Sequence, residues 1–367
     1  MAVRVILFIV LSINFTYAER YFSNRDCSEC HEQIYREYNR SAHAKSYFHG
    51  ELHRAVADRV DGSSYRCAVC HMPSADNIDE LIDGRARPDR GNRSHTDGVS
   101  CYFCHTIAYV KRSHSRNINV KSKQAEGYKP TLYGGLDNPD DNDKHSSVKN
   151  PIYSKVVCTG CHSHKLNGNG VTIFRAIEGK QDSRGCIECH MPKVEGGVEK
   201  INRRSRVEHI SHRFLGIYDV DFRKKGVDID ISAVEGGLDV KLRNRMGHPL
   251  IIQPARVKYL NLKVVRGDRT IYERNSTFEL IFRDKSGSRV TIPANAYSVE
   301  SRNLDENETK IIRYRDIDIR GGDSVIATLY VRFAKSDCLK VIDLEDKRLK
   351  RGEVIKRVIL NIDRPKR

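Results

Sequence analysis

The chain contains no tryptophan and only four methionines in 367 residues. Apolar residues make up 39% of it, below the roughly 45–50% usual for globular chains. Mean hydropathy is −0.58. A chain this polar lacks the side chains to bury an ordinary core along its whole length. Past the first few residues there is no apolar run approaching the ~20 residues that a membrane-spanning helix needs. An acidic surplus is also missing: Lys and Arg number 64 against 48 Asp and Glu, for a net charge of +16. Such a balance ordinarily suggests nucleic-acid binding. No recognition motif accompanies it, and the N-terminus argues for export, so nucleic acid is not an expected partner.

The N-terminal residues have the make-up of a secretory signal. Arg4 is a short basic region, Val5 to Ile13 is apolar, and Thr16-Tyr17-Ala18 is a small-residue cleavage site. Residues 1–18 are therefore expected to be removed. The expected location is the periplasm, with the cell exterior as the other placement. No cysteine sits at the cleavage site, which argues against a lipoprotein anchor.

What the chain does have is one pentapeptide five times over. Cys-x-x-Cys-His occurs at Cys27, Cys30 and His31; at Cys67, Cys70 and His71; at Cys101, Cys104 and His105; at Cys158, Cys161 and His162; and at Cys186, Cys189 and His190. With 11 Cys and 15 His in the chain, about 0.01 such matches would arise by chance. The pattern is the attachment site of a c-type haem. Its two thiols form thioethers to the haem vinyl groups, and the adjacent imidazole ligates the iron from one side. Paired thiols also bind zinc, but zinc does not require a His directly after each pair. Five covalently attached haems c are the expected cofactors. Their flat apolar faces would supply the missing core, and their propionates would offset part of the positive charge.

The five motifs end at His190. Beyond about Lys225 the texture changes. Apolar and polar residues alternate in Leu238–Arg243 and Leu260–Val264, and Val325–Phe333 is long enough for a central strand. Further runs cover Thr277–Phe282, Ile311–Tyr314 and Val354–Ile362, with turn signals at Gly267-Asp268, Ser286-Gly287 and Gly321-Gly322. Short strands at this spacing predict an antiparallel β-sandwich. The expected class is α+β: a haem-packed, mainly helical and loop-rich multihaem cytochrome domain over residues 19–224, then a β-sandwich over 225–367. Within the first domain, helices are expected over 31–38 and about 46–59, and a long polar loop over 111–150.

Each proximal histidine (His31, His71, His105, His162, His190) leaves a sixth iron position to fill. Ten other histidines remain. Met72, Met191 and Met246 are poor alternatives, because two of them directly follow proximal histidines. His49 and His53 lie one turn apart on the second helix, so either could cap a haem or contact a propionate; His164 follows its own proximal histidine too closely, His114 sits in a basic loop, and His209 competes with its neighbour His212.

A resemblance extends this reading. Cys27-Ser-Glu-Cys-His31 is followed by Ser41-Ala-His43-Ala, His71-Met-Pro73, His95-Thr-Asp-Gly-Val-Ser-Cys101 and Tyr133-Gly-Gly135 with His145. Then come Cys158-Thr-Gly-Cys-His162 with Asn167, Cys186-Ile-Glu-Cys-His-Met-Pro192 and His212-Arg-Phe-Leu-Gly216. This order resembles the multihaem cytochromes c related to the tetrahaem electron acceptor of hydroxylamine oxidoreductase. Arg245-Met-Gly-His248-Pro resembles a tag in the β-rich domain of some relatives, although Ile251-Ile-Gln-Pro departs from the usual continuation. The resemblance nominates His43, His95, His145 and His212 as distal ligands, with His248 as the fifth.

Two functions follow. With every iron position filled, the chain is an electron relay in a respiratory chain, between redox partners such as a quinol-linked donor and a terminal acceptor. With one position open, it is an oxidoreductase acting on a small nitrogen or sulfur compound. Cys-x-x-Cys-Lys, the attachment motif of lysine-ligated nitrite reductases, is absent. The relay is the favoured expectation, with no catalytic residue assigned. The β-domain is the expected docking element, either onto a membrane complex or onto further copies of the chain. Cys338, outside every motif, is expected to be a buried free thiol.

Overall fold

A computed structural model describes residues 21–60, 64–122, 129–177, 185–198 and 206–363. The expected signal peptide lies outside them. Among the described residues no helix is long and apolar enough to cross a membrane.

The motif-bearing region is built of short helical turns. Helix α1 (Asn24–Ser28) starts at a capping box, in which the Ser23 side chain accepts from Asp26 N and the Asp26 carboxylate accepts from Ser23 N. It leads into α2 (Glu32–Asn39). Helix α3 (Glu51–Val60) carries the apolar stripe Leu52, Ala55 and Val56. The expected helix over 46–59 thus begins later, because residues 46–50 form turns. The stretch 111–150 is not one long loop. It carries the end of β1 (Ile107–Lys111), then β2 (Ile118–Lys121), β3 (Thr131–Gly134) and β4 (Ser146–Lys149). Strands β1 and β2 pair antiparallel, and β3 and β4 pair parallel. Two more small ladders follow: β5 (His164–Leu166) with β6 (Thr172–Arg175), and β7 (Lys193–Glu195) with β8 (Glu208–Ile210).

The alternating runs of the later sequence form two antiparallel sheets. The smaller has the order β15-β10-β9, from Thr309–Arg315, Gly237–Asn244 and Val227–Val234. The larger runs β13-β12-β11-β16-β17, from Arg289–Val290, Arg269–Arg283, Val257–Arg266, Asp323–Arg332 and Glu353–Asn361. Strand β14 (Ser298–Arg302) lies beside β12. One core joins the two sheets: Leu238, Val240 and Leu242 meet Leu260, Leu262, Val325 and Leu329, all fully buried. The period-2 pattern places these residues inward and their charged neighbours outward.

Several contacts tie the two regions together. Leu52, Ala55 and Val56 of α3 pack on Ala334, Leu339 and Ile342. Val171 packs on Phe282 and Ala296, while Asn167 Nδ2 donates to the carbonyls of Pro293 and Ala296. The buried Arg223 guanidinium pairs with Glu353 at 2.6 Å and donates to Val354 O. The Tyr218 ring lies over Phe333 at 4.7 Å. Cys338 is a buried free thiol.

Candidate haem sites

Each motif occupies one helical turn. The proximal histidine amide bonds the carbonyl of the first cysteine: His31 N to Cys27 O at 3.0 Å, His71 N to Cys67 O at 3.0 Å, His162 N to Cys158 O at 2.9 Å. Residues i, i+3 and i+4 share a helix face. Both thiols and the imidazole therefore project to one side, the arrangement that haem attachment requires. The turns at Cys101–His105 and Cys186–His190 repeat it.

Backbone carbonyls fix most of the proximal imidazoles. Nδ1 of His31 donates to Val198 O at 2.6 Å, of His71 to Ser46 O at 2.9 Å, of His105 to Tyr133 O at 2.6 Å, and of His190 to Leu215 O at 2.5 Å. A carbonyl can only accept, so Nδ1 holds the proton and Nε2 keeps its lone pair for a metal. Burial pushes His71 down to about 3 and His162 to about 4. Both are neutral imidazoles, the form that binds iron.

A second histidine faces each proximal one. His145 lies 6.3 Å from His31, His212 6.2 Å from His105, His248 6.3 Å from His190 and His43 6.0 Å from His162, centre to centre. Two metal–imidazole bonds of about 2.0–2.1 Å, one on each side of an ion, set ring centres roughly 6.4 Å apart. The four gaps fit an iron. Three of the four partners are themselves well prepared. Nδ1 of His212 donates to Ile210 O at 2.8 Å and that of His248 to Pro249 O at 2.9 Å, while His43 Nδ1 is buried without a partner. Burial lowers His43 and His212 to about 3 and His248 to about 4. His145 is less enclosed; its ring nitrogens meet Ser147 Oγ at 3.1 Å and Asn142 Nδ2 at 3.2 Å.

His95, nominated as a distal ligand, lies apart from the proximal histidines. It is buried, but no proximal histidine ring faces it. Its Nδ1 accepts from Asp89 N at 3.0 Å, so Nε2 holds the proton and meets Asn77 Oδ1 at 2.8 Å. Both ring nitrogens are engaged by protein, as they are in His145, but unlike His145 it has no proximal ring opposite. The residue facing His71 is His53, on α3, with ring centres 4.8 Å apart. It carried no tag in the sequence; its one signal was its place on the second helix. His209 is excluded on similar grounds, since Nδ1 faces Gly196 O and Nε2 faces Glu37 Oε1. Met72 is fully buried in the small cluster with Tyr47 and Leu81, and Met246 packs against the β core.

The tag around His95 has a positioning role. Gly98 has φ +65°, and a Cβ there would lie 2.4 Å from His43 O. Val99 N donates to that same carbonyl at 3.1 Å. Asp97 accepts from Asn24 N at 2.9 Å and from the Tyr21 hydroxyl at 2.6 Å. The tag thus clamps the loop bearing His43 and the start of the first motif.

The attachment sites also touch one another. The side chain of Cys27 lies beside that of Cys101, Cys70 beside Cys161, and Cys158 beside Cys186. The fourth motif therefore adjoins both the second and the fifth.

Two comparisons with known proteins bear on the family and the fold. Residues 26–106 match the family described as cytochrome c554 and c-prime. No curated protein matches the chain. The fold is similar to the crystal structure of a penta-heme cytochrome c552 from Thermochromatium tepidum, with a TM-score of 0.73 at 20% identity, over 93% of this chain and 99% of that one. These findings support a multihaem cytochrome c. In such a cytochrome the paired thiols hold haem c covalently, and the residues present here fit it.

Proposed function

We propose that the chain is a pentahaem c-type cytochrome that relays electrons in a periplasmic or extracellular respiratory chain, as in the hydroxylamine-linked cytochromes it resembles. The observation that carries this reading is the facing of proximal and second histidines across iron-sized gaps: His31 with His145, His105 with His212, His162 with His43, His190 with His248. Haem iron supplies a one-electron couple when bound, and two imidazoles leave it no open position. Burial holds His43, His162, His212 and His248 neutral, and backbone carbonyls orient His31, His105, His190, His212 and His248. Rigid carbonyl anchors limit rearrangement when charge changes. The touching thiols bring the attachment sites close enough for electrons to pass between them. The basic surplus suits acidic redox partners, and the apolar N-terminal run supports export.

Pyridine haemochrome analysis should give about five haems per chain, and fewer than four would sink the proposal. Electron paramagnetic resonance of the ferric protein should show low-spin signals for at least four of them.

One observation favours a second reading at a single site. His53 and His71 are 4.8 Å apart, closer than the other pairs, and among the described residues no carbonyl holds His53. An iron there would require α3 to move outward or His53 to stay off the metal. A high-spin signal that shifts with nitrite or hydroxylamine would make this site an oxidoreductase centre.

A further inference from the structure

Strand β11 carries a lysine where its pattern calls for an apolar residue. Lys258 shares a face with Leu260, Leu262 and Val264, all fully buried, and is itself only 7% exposed. Its cross-strand neighbours are Phe278 on β12 and Val331 on β16, both core residues. A buried ammonium is costly unless paired. Among the described residues no carboxylate pairs with Lys258. Its Nζ donates to Leu250 O, and Arg256, on the same strand approach, adds a second positive charge. Burial holds the ammonium down at about 7.

What lies beside it is the His190–His248 site. His248 Nδ1 donates to Pro249 O, and Lys258 Nζ donates to the next carbonyl, Leu250 O. One dipeptide thus anchors both the imidazole and the cation, and His248 senses the lysine charge. A site rule broken this plainly, inside an otherwise regular strand, marks function more often than packing.

We propose that Lys258 is the built-in counter-charge of the haem held between His190 and His248, and that it favours the electron-loaded state of that haem over the others. The proposal rests on the pentahaem reading. A positive charge in a poorly screened interior interacts strongly with an added electron. With local charge among the levers that set haem potential, the β-rich region would tune the haem to which it also gives a ligand.

The test is a redox titration of the full holoprotein, followed by electron paramagnetic resonance. K258M and K258Q both remove the charge, and methionine suits the buried position. Each should lower one midpoint by about tenfold in the reduction equilibrium, 59 mV for a one-electron couple, with haem content and low-spin signals unchanged. K258R should restore it. K310Q, at an exposed lysine on β15, should leave all midpoints in place. The midpoint that moves must belong to the haem that H248A turns high-spin. If H248A changes no spin state, the ligand assignment falls and this proposal falls with it. If H248A acts as expected but the charge-free variants move no midpoint, or move all five equally, only the role of Lys258 is overturned.

Discussion

The two halves of the molecule solve the folding problem differently. The β-rich region has a continuous apolar core in which Leu238, Leu242, Leu260, Leu262 and Leu329 are fully enclosed by protein. The motif-bearing region has only small clusters, such as that of Tyr47, Leu81 and Met72. Its helices are mostly one or two turns long, too short to be stable alone. Its facing histidines are mostly half-buried, with His162 exposed, and they meet one another across gaps. A region whose imidazoles are paired across gaps, with only small apolar clusters between them, is organised for a cofactor, whereas the β sheets are organised for themselves.

That contrast can be broken most directly by withholding haem. Chain produced without haem attachment should keep slow amide exchange in β10, β11 and β16 and lose it around the five motifs. Equal protection in both halves would refute the contrast. Next in size, Leu262→Ala should cost about 2–5 kcal/mol of stability, read in denaturant melts, with the haem absorption spectrum unchanged below the transition. Gly98→Ala should cost about 1–3 kcal/mol, because φ +65° and the His43 carbonyl leave no room for a Cβ. Unlike Leu262→Ala, it should perturb the haem facing His43. The smallest spectroscopic effect is expected from His95→Ala, which should leave every haem low-spin, whereas His212→Ala should turn one high-spin. A high-spin haem in the His95 variant would restore it to the ligand set.

Much of the β region was legible in the sequence, because strand alternation is a local pattern of period two. Leu238–Arg243 lies in β10 and Leu260–Val264 in β11, as their alternation implied. The lysine at 258 sits within the same alternation, and only packing revealed that its head group remains inside. Stretch 111–150 reads as loop in the sequence because its strands are only four or five residues long, leaving no amphipathic pattern to detect.

The sequence by itself determined the attachment cysteines and the proximal histidines. Their relation is one helical turn, and spacing alone places them on a common face. Only the tertiary structure decided which second histidine faces which motif. His145 meets His31 and His212 meets His105 through loops and ladders that bridge long stretches of chain, so no local period records the pairing. The same holds for His53 and His95. Both are histidines among polar neighbours, and what separates them is where the hydrogen bonds go: both nitrogens of His95 are engaged by Asp89 and Asn77, while His53 is carried by α3 towards His71.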